Sequence, residues 1–282
     1  MKYVVVHSGR AHRDEFLTVG LVSLITSSIP LVYRRDPTEE ELNDPEVWVL
    51  DVGRRHEPEL HNFDHHQLPV GTLDCALSLV AKAHEVEPGQ TYHDLFAPAP
   101  WYKNTILRDT QGHDAVPRDK AEMEAEAAIE SYVLCEFSNC TGRIAVEKRW
   151  VVFALDLMSK KAETAKKLVA RFEEIQACAQ ILPVKIRGQE HLVMYGPELD
   201  TFGVNAWLDK QGLDVIATVT KDPRSGGACL YRSGELGASL LDFRKVAESP
   251  HALFVHTAGF VMNVRQGLDK AQHLALIEGA AV

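Results

Sequence analysis

The sequence predicts an α/β protein: an N-terminal, mostly parallel sheet with helices on both faces, followed by a smaller C-terminal α/β domain with a mixed sheet. The first part is predicted from short β-branched runs that alternate with a helical pattern up to residue 50, an order typical of a covered parallel sheet. The second part is predicted from the last third of the chain, where short apolar runs are separated by turn sequences such as residues 221–227.

The elements of the N-terminal part follow one another closely. Strands are predicted at residues 3–6, 31–33 and 47–50, because each is a short β-branched or aromatic run. A mostly apolar helix from Phe16 to Leu24 separates the first two strands, and a polar turn at residues 36–41 opens a short acidic helix before the third. Parallel strands need such crossover connections, so we expect these strands to lie in one sheet.

Further along the chain, three helices are predicted from apolar residues at helical spacing. The first spans residues 72–84, and the second opens at a capping box in residues 119–122. The apolar stripes of the second and third helices are Ile129, Val133 and Phe137, and Leu168, Phe172, Ile175 and Ala179. Strands are predicted at residues 191–195, 215–220, 229–232 and 253–256. We place the boundary at residues 180–188, which gives domains 1–184 and 185–282.

The composition is that of a folded, acidic protein. Hydrophobic residues make up 45% of the chain, and 30 Lys and Arg against 40 Asp and Glu give a net charge of −10. An acidic protein binds nucleic acid poorly without sequence or shape recognition, since that affinity comes mostly from cationic side chains on phosphates. A phosphate-containing substrate would therefore have to be bound locally, by metal ions or a few placed basic residues.

Cysteine usage and hydropathy predict a cytoplasmic protein with no membrane association. The five cysteines are odd in number and contain no C-x-x-C pair, which indicates buried free thiols in a reducing compartment. The apolar run at the N-terminus is too short for a signal peptide. An uncharged run from Phe16 to Tyr33 approaches transmembrane length, but it contains Pro30 and has charged flanks, so we interpret it as a buried helix followed by a strand.

Side chains that bind metals cluster at the ends of predicted strands. His7, His12 and Asp14 follow the first strand, Asp51 follows the third, and Asp64-His65-His66 follows a short apolar lead-in. Neutral imidazole and carboxylate are the usual donors for divalent metals. Because ligands bind beyond the carboxyl ends of parallel strands, we expect these side chains to converge on one metal site.

A fourth stretch adds further carboxylates, Asp109 and Asp114. Six or seven ligands exceed what a single tetrahedral zinc needs, and they suit two octahedral ions that share a carboxylate. Mixed oxygen and imidazole donors favour Mn²⁺, with Mg²⁺, Co²⁺ or Zn²⁺ as alternatives. Two such ions can activate water and stabilise the attacking and leaving oxygens of phosphoryl transfer.

These motifs resemble those of the DHH phosphoesterase superfamily, and they are most similar to its branch of metal-dependent hydrolases and exonucleases containing the melanocyte proliferating gene product. The first motif of that branch, His-x-Gly-x-x-His-x-Asp-Glu, stands here as His7–Glu15, the second as Asp51–Gly53 and the third as Phe63–Gln67. A C-terminal Phe-Val-His-x-x-Gly-Phe stretch stands as Phe254–Phe260. There the chain departs from the branch, because Val261–Asn263 replaces an Ile-Gly-Gly whose glycines would let the backbone approach an anion.

The resemblance implies a role for each ligand-type residue. The implied metal ligands are His7, His12, Asp14, Asp51, His65 and Asp109. Asp51 occupies the position of the bridging aspartate, His66 would face the substrate, and Asp64 would orient a neighbouring histidine. These three are therefore the catalytic candidates. Asp109 stands in a stretch similar to an Asp-Thr-Gly of other branches, and Asp114 is its rival as the late ligand.

Substrate-binding residues are expected in both domains. Arg10 lies inside the first ligand loop, where it either contacts a substrate phosphate or faces solvent, and His66 faces the substrate from the metal side. The resemblance makes the smaller domain the substrate-holding half. Arg232 and His256, each at the end of a predicted strand, are expected to bind a phosphate, and Gly259 would let the backbone approach the ligand closely.

The resemblance thus implies a metal-dependent phosphodiesterase or exonuclease that acts on short RNA or DNA. Two alternatives stay open. One is a metallohydrolase of a small phosphate compound, such as pyrophosphate or a nucleotide, and the other is a non-catalytic, metal-stabilised binding protein. A homo-oligomer is possible for the phosphodiesterase and for the metallohydrolase.

Overall fold

The computed structural model describes residues 1–112, 115–116, 132–140, 142 and 145–282. Contacts within the chain divide it into two compact units, Met1–Lys167 and Leu168–Val282, which we call the N-terminal unit and the C-terminal unit. The division falls inside one long helix, Lys148–Cys178. The predicted domain limits, 1–184 and 185–282, stay a prediction.

Strands and helices alternate along the N-terminal unit. Its strands are β1 (Tyr3–Val6), β2 (Val32–Arg34), β3 (Val47–Leu50), β4 (His56–Glu57), β5 (Asn62–Phe63), β6 (Glu85–Glu87) and β7 (Gln90–Thr91). Its helices include α1 (Arg13–Ile25), α2 (Glu39–Leu42), α3 (Ala76–Ala83), α4 (Tyr92–Phe96), α5 (Pro100–Gln111) and α6 (Lys148–Cys178), the last of which continues into the C-terminal unit. The elements predicted before residue 50 are confirmed, with β2 one residue later than expected.

Five strands form the main sheet of the N-terminal unit, in the order β2-β1-β3-β5-β4. β1 pairs in parallel with β2 and β3, and β3 pairs in parallel with β5, whereas the short β4 is an antiparallel edge. The predicted mostly parallel sheet is therefore confirmed. Within the described part of the chain, no helix has both the length and the apolar composition to cross a bilayer.

Helices flank this sheet, and β3 contacts them on both of its faces. On one face, Val47 and Val49 pack with Leu42 of α2 in an apolar cluster. On the other face, Trp48 stacks on His84, the residue that ends α3, with ring centroids 5.2 Å apart. Successive side chains of a strand point to opposite faces, so one short apolar run serves both layers.

The C-terminal unit is built around a mixed sheet. Its strands are β8 (Gln180–Ile186), β9 (Gln189–Tyr195), β10 (Ala217–Lys221), β11 (Ala228–Arg232), β12 (Ala252–Val255) and β13 (Val261–Val264), and its helices include α7 (Val204–Gln211), α8 (Gly234–Leu240) and α9 (Lys270–Gly279). The strand order is β12-β13-β11-β10-β9-β8, with β9 and β10 parallel and the other pairs antiparallel. The predicted mixed sheet is confirmed.

The sequence missed two strands of this unit, β8 and β13. β8 contains Pro183, which weakens a strand signal but is tolerated at a sheet edge. Ala179, predicted as part of a helical stripe, lies just after the end of α6. Ile129 and the capping box at 119–122 lie outside the described residues.

All five cysteines are free, as predicted, but they are not all buried. Cys75 is buried, whereas Cys135 and Cys178 are exposed. The expectation of buried thiols is therefore wrong for these two, which lie on the outer sides of helices that the apolar pattern alone did not orient.

Candidate metal centre

Three neighbouring strands bring ligand-type side chains to one edge of the N-terminal sheet. His7 follows β1, Asp51 follows β3 and Asp64 follows β5. The main-chain ladder continues to this edge, where Asp51 N donates a hydrogen bond to Phe63 O over 3.0 Å. The parallel arrangement thus gathers the three sequence motifs.

Two helices carry the remaining predicted ligands. His12 is the N-cap of α1, and Asp14 lies in the first turn, where a carboxylate interacts favourably with the helix dipole. Asp109 lies in the last turn of α5, a helix that the sequence analysis did not predict. Its rival, Asp114, lies outside the described residues.

The ligand atoms form three overlapping groups, and within each group they lie within 4.8 Å of one another. The groups are His7, His12 and Asp51; Asp51, His65 and His66; and His12, Asp14 and Asp109. Asp51 and His12 each belong to two groups. Shared ligands of this kind suit two neighbouring ions better than a single ion.

The central carboxylates are buried without hydrogen-bond donors. Asp14 and Asp51 are each 1% exposed. Among the described residues, no group has both the distance and the angle of a hydrogen bond to either oxygen of Asp14 or Asp51, and Asp109 Oδ2 is in the same state. A buried carboxylate without a partner is costly, so these oxygens fit bound cations.

The pKa values of the cluster reflect this crowding of negative charge. Burial, and then the charges of Asp51 and Asp109, raise the pKa of Asp14 well above its ordinary value. Burial and the charge of Asp51 also raise the pKa of Asp109, against the opposing effect of His65. Bound cations would reverse this balance, because a divalent ion is the largest charge in such a site.

The histidine rings turn their nitrogens toward these carboxylates. His65 Nε2 lies 3.2 Å from Asp51 Oδ1 and 3.1 Å from Asp109 Oδ2. His7 Nε2 lies 3.5 Å from Asp51 Oδ2. Burial alone would lower the pKa of His7, but the carboxylate of Glu15, with a smaller contribution from Asp51, raises it to about 9. Oxygen and nitrogen donors therefore face a common space.

The turn after β3 has an unusual backbone. Asp51 and Arg54 have positive φ angles of 60° and 54°, a backbone conformation that residues other than glycine rarely adopt. Gly53 has a φ of 97°, and a Cβ at this position would lie 2.9 Å from Leu42 Cδ2. The Asp-Val-Gly motif therefore needs its glycine for packing and conformation. Backbone strain of this kind is typical of positions that hold a functional side chain.

Asp64 organises the side chains next to the cluster. Its Oδ1 accepts hydrogen bonds from His66 N at 3.0 Å and His66 Nδ1 at 2.7 Å, and its Oδ2 accepts one from Arg54 N at 2.6 Å. Burial alone would raise the pKa of Asp64, but these bonds lower it. With Nδ1 engaged, Nε2 is the nitrogen of His66 that can act on a ligand.

An open pocket of about 410 Å³ adjoins the cluster. Its lining residues are His7, His12, Asp36, Asp51, Val52, Gly53, Arg54, Asp64 and His66. Arg54 is not among the site residues predicted from the sequence. Arg10 is exposed, and the described residues that line the pocket do not include it.

Two buried charges next to His7 were also missed. Glu15 and Arg34 are both 0% exposed, and Arg34 Nη2 lies 2.9 Å from Glu15 Oε1. Arg34 also donates to the carbonyl of His7 from Nε at 3.3 Å and Nη2 at 3.1 Å, while Glu15 Oε2 lies 2.6 Å from His7 Nε2. The pair contacts both the main chain and the ring of His7. A signal existed, because Glu15 is the last residue of the first motif.

The predicted substrate-binding residues of the C-terminal unit lie around the turn between β12 and β13. Arg232 N donates to Phe260 O over 3.0 Å, and His256 N donates to the carbonyl at the start of β13. Gly259 has a φ of 70°, and a Cβ there would lie 2.0 Å from Asp242 Oδ1. The space beside Gly259, where a ligand was expected to approach the backbone, is therefore occupied by the carboxylate of Asp242. The binding roles stay predictions.

Comparison with protein families gives a match at the N-terminus. Residues 3–73 match the model of the MYG1_exonuc family, described as an uncharacterised protein family (UPF0160). The matched stretch contains all three N-terminal motifs, His7–Glu15, Asp51–Gly53 and Phe63–Gln67, but it is a minor part of the chain. No protein with a curated description matches the sequence.

Two solved structures resemble the chain distantly. One is a provisionally assigned family II inorganic pyrophosphatase from Methanococcus jannaschii, with 15% identity, a TM-score of 0.24 and an alignment that covers 99% of each chain. The other is PggH, a pGpG-specific phosphodiesterase from Vibrio cholerae, with 14% identity, a TM-score of 0.29 and 98% of each chain covered. At these levels of similarity, the roles of individual residues depend on the geometry of the site.

Proposed function

We propose that the chain is a metal-dependent phosphoesterase, and more specifically a phosphodiesterase or exonuclease that cleaves short nucleic acid with a dinuclear manganese centre. The observation that carries the proposal is the set of three overlapping ligand groups that share Asp51 and His12. No described residue has hydrogen-bond geometry to the oxygens of Asp14 and Asp51, so the set suits bound cations. The family match of residues 3–73 supports the same class.

The ligand chemistry supports two ions of the Mn²⁺ type, with Mg²⁺, Co²⁺ or Zn²⁺ as alternatives. His7 and His12 would hold one ion, and Asp14, His65 and Asp109 would hold the other, with Asp51 as the bridge. When bound, the ions supply positive charge that polarises a phosphoryl group and lowers the pKa of the attacking water.

The protein's own side chains would orient the substrate and transfer a proton. Asp64 accepts the Nδ1–H of His66, so a neutral ring presents an unprotonated Nε2. The ring protonated on both nitrogens can give its Nε2 proton to the leaving oxygen and keep the Nδ1–H bond to Asp64. Asp64 also fixes the backbone of Arg54, a residue that lines the pocket and whose guanidinium would suit a phosphate oxygen. The proposal therefore assigns His66 to proton transfer and Arg54 to positioning.

The size of the pocket supports a second candidate, a metallohydrolase of a small phosphate compound such as pyrophosphate or a nucleotide. At about 410 Å³, the pocket is near the lower end of the range for small-molecule sites. The two candidates share the metal chemistry and differ in whether a nucleobase contributes to recognition.

A hydrolysis panel separates the candidates. The chain, saturated with Mn²⁺, is incubated with a generic phosphodiester, dinucleotides, short RNA, short DNA, pyrophosphate and a mononucleotide. The proposed function predicts cleavage of dinucleotides or short strands, whereas the second candidate predicts cleavage of pyrophosphate or a mononucleotide alone. A folded, metal-loaded chain that hydrolyses none of these substrates contradicts both.

Metal content provides an independent check. Elemental analysis after Mn²⁺ loading should find about two ions per chain, as expected for a two-metal site. The matched control is Glu41→Gln, which removes a buried carboxylate outside the ligand groups and should leave the ion count unchanged. Fewer than about half an ion per chain at saturating Mn²⁺ would rule out a dinuclear centre.

A further inference from the structure

The first ligand loop, residues 7–12, presents two histidines to the candidate metal centre. The ring centroids of His7 and His12 lie 5.0 Å apart. Residues 8–10 between them are exposed, and Gly9 has a φ of 85°. Since the middle of the loop faces solvent, the spacing of the two histidines depends on the groups that hold its two ends.

A helix far along the chain contacts the second end of this loop. Residues 132–138 are helical, and Ser138 Oγ accepts a hydrogen bond from Ala11 N over 2.8 Å. The same hydroxyl donates to Leu134 O over 2.5 Å, which fixes its direction. Ala11 is 2% exposed, and a buried N–H that loses its partner is costly. Ser138 therefore holds the main chain directly before His12.

The residue before Ser138 supports the first end of the loop. Phe137 is 0% exposed, and the guanidinium of Arg34 lies over its ring, 4.9 Å from the centroid. Arg34 in turn donates from Nη2 to His7 O over 3.1 Å. The Phe137 ring also contacts Phe16 of α1 edge-on, with centroids 5.3 Å apart. Adjacent residues of one helix thus act on both ends of the loop.

The segment that follows this helix is bound to the main sheet of the N-terminal unit. Gly142 N donates to Arg34 O over 2.9 Å, and Val146 N donates to Val32 O over 2.7 Å. β2 is an edge strand of that sheet, so these bonds satisfy backbone carbonyls that an edge would otherwise expose. The sheet that carries the site therefore also anchors the segment that holds the loop.

We propose that Phe137 and Ser138, which we call the loop clamp, are positioning residues for the metal centre. Ser138 sets the place of His12, and Phe137 supports His7 through Arg34. Partners outside the ligand shell orient the ligands, and full metal affinity depends on them. The inference rests on the dinuclear centre of the proposed function, and it assigns to that centre two residues outside the stretch that matches the family model.

The competing account is that these contacts only pack the helix, so that Ser138 stabilises the fold without affecting the ions. The bond between Ser138 and Ala11 joins residues 127 positions apart and ends on a main-chain N–H inside the first motif. A hydrogen bond is directional and fixes the position of the atoms it joins, whereas apolar burial has no direction. This geometry favours positioning over packing alone.

Titration of the metal-free, full-length chain with Mn²⁺, followed by electron paramagnetic resonance, tests the loop clamp without catalysis. Ser138→Ala is compared with Ser159→Ala, because Ser159 Oγ makes the same bond within a helix, to Leu155 O over 2.8 Å in α6. We expect Ser138→Ala to weaken the affinity for one of two ions by about fivefold or more and to leave the other unchanged. Ser138→Thr, which keeps the hydroxyl, should retain wild-type affinity for both ions, as should Ser159→Ala.

Three outcomes would overturn the inference. The first is the same affinity for both ions in Ser138→Ala as in Ser159→Ala, even with a lower melting temperature, since Ser138 would then only pack its helix. The second is an equal loss for both ions, which would indicate distortion of the whole site. The third is a loss in Ser138→Thr as large as in Ser138→Ala, because the hydroxyl would then not be the group that acts. Failure of the proposed function appears separately, as two intact Mn²⁺ steps in a wild type that hydrolyses no substrate of the panel.

Discussion

Two buried carboxylates of the N-terminal unit, Glu41 and Asp14, lie in opposite electrostatic environments. Glu41 accepts hydrogen bonds from Arg35 at 2.8 Å and 2.5 Å, from the Tyr3 hydroxyl at 2.8 Å and from Thr38 N at 2.8 Å. The guanidinium of Arg35, followed by the smaller effects of the other donors, lowers the pKa of Glu41 to about 2. This carboxylate is fully satisfied by protein groups.

Asp14 is buried more deeply, at 1% exposed against 8% for Glu41, and the groups around it are mainly other carboxylates. The described residues supply no hydrogen-bond donor to it, and burial with the charges of Asp51 and Asp109 raises its pKa. The comparison separates a structural carboxylate from one that fits a metal. The sign of the pKa shift follows from the partners, because burial opposes ionisation at both positions.

Among the variants that test this contrast, Asp51→Asn should have the largest effect, on the rate of hydrolysis. Losing even an outer-shell partner of a metal ligand costs about tenfold to hundredfold, so loss of the bridging carboxylate should reduce hydrolysis to below about one hundredth of wild type. In the metal-free chain the same variant should raise the melting temperature, because it removes one of several crowded charges, whereas Glu41→Gln should lower it. A folded Asp51→Asn chain with full activity would contradict the assignment.

A smaller effect is expected from the pair that holds His7. Glu15→Gln removes the charged partner of Arg34, which holds the main chain of His7, and should weaken the affinity for one of two Mn²⁺ ions by about tenfold to hundredfold. The affinity for the other ion should be unchanged, as read from the two steps of a Mn²⁺ titration by electron paramagnetic resonance. Because this variant leaves Arg34 buried without its partner, Glu15→Gln/Arg34→Gln is the second variant to measure. Unchanged affinity for both ions in a folded double variant would show that the pair does not position His7.

The melting temperature of the metal-free chain should depend on pH through His7. The pKa of His7 is about 9 in the folded chain and 6.5 ordinarily, so its stabilising contribution is fully present below 6.5 and is lost as the pH rises through 9. We expect the melting temperature to fall by several degrees across this window. Saturating Mn²⁺ should remove the dependence, since a ligating nitrogen carries no proton. A flat profile without metal would contradict this account of His7.

The smallest effect is expected from Glu41→Gln. It should lower the free energy of unfolding by about 1.5–3 kcal/mol near neutral pH, the usual contribution of hydrogen bonds to a charged group. The folded pKa of about 2 lies below the ordinary 4.5, so this stabilisation is present above 4.5 and is lost as the pH falls through 2. Denaturant titrations should therefore show the variant and the wild type converging in acid. A gap that persists there would show that lost packing, not charge, is responsible.

Much of the candidate metal centre could be predicted because its ligands follow strands. His7 and Asp51 each come directly after an apolar β run, and the carboxyl ends of parallel strands meet at one edge. Asp109 could be proposed only from the resemblance, since it lies on α5, and its distance to the other ligands depends on how that helix packs against α1. Arg54 could not be found at all, because its place in the pocket depends on the left-handed backbone of the turn.

The residue pattern was sufficient for the types of ligand and for the alternation of strands and helices, because both depend on neighbours along the chain. The pairing of charges depended on the folded structure. Arg34 and Arg35 are adjacent in sequence, yet Arg34 is buried against Glu15 beside His7, and Arg35 binds Glu41. Successive residues of an extended segment point to opposite faces, so each arginine meets a carboxylate from a different helix. Whether a glutamate completes the structure or belongs to the metal site is decided by partners that only folding brings within hydrogen-bond distance.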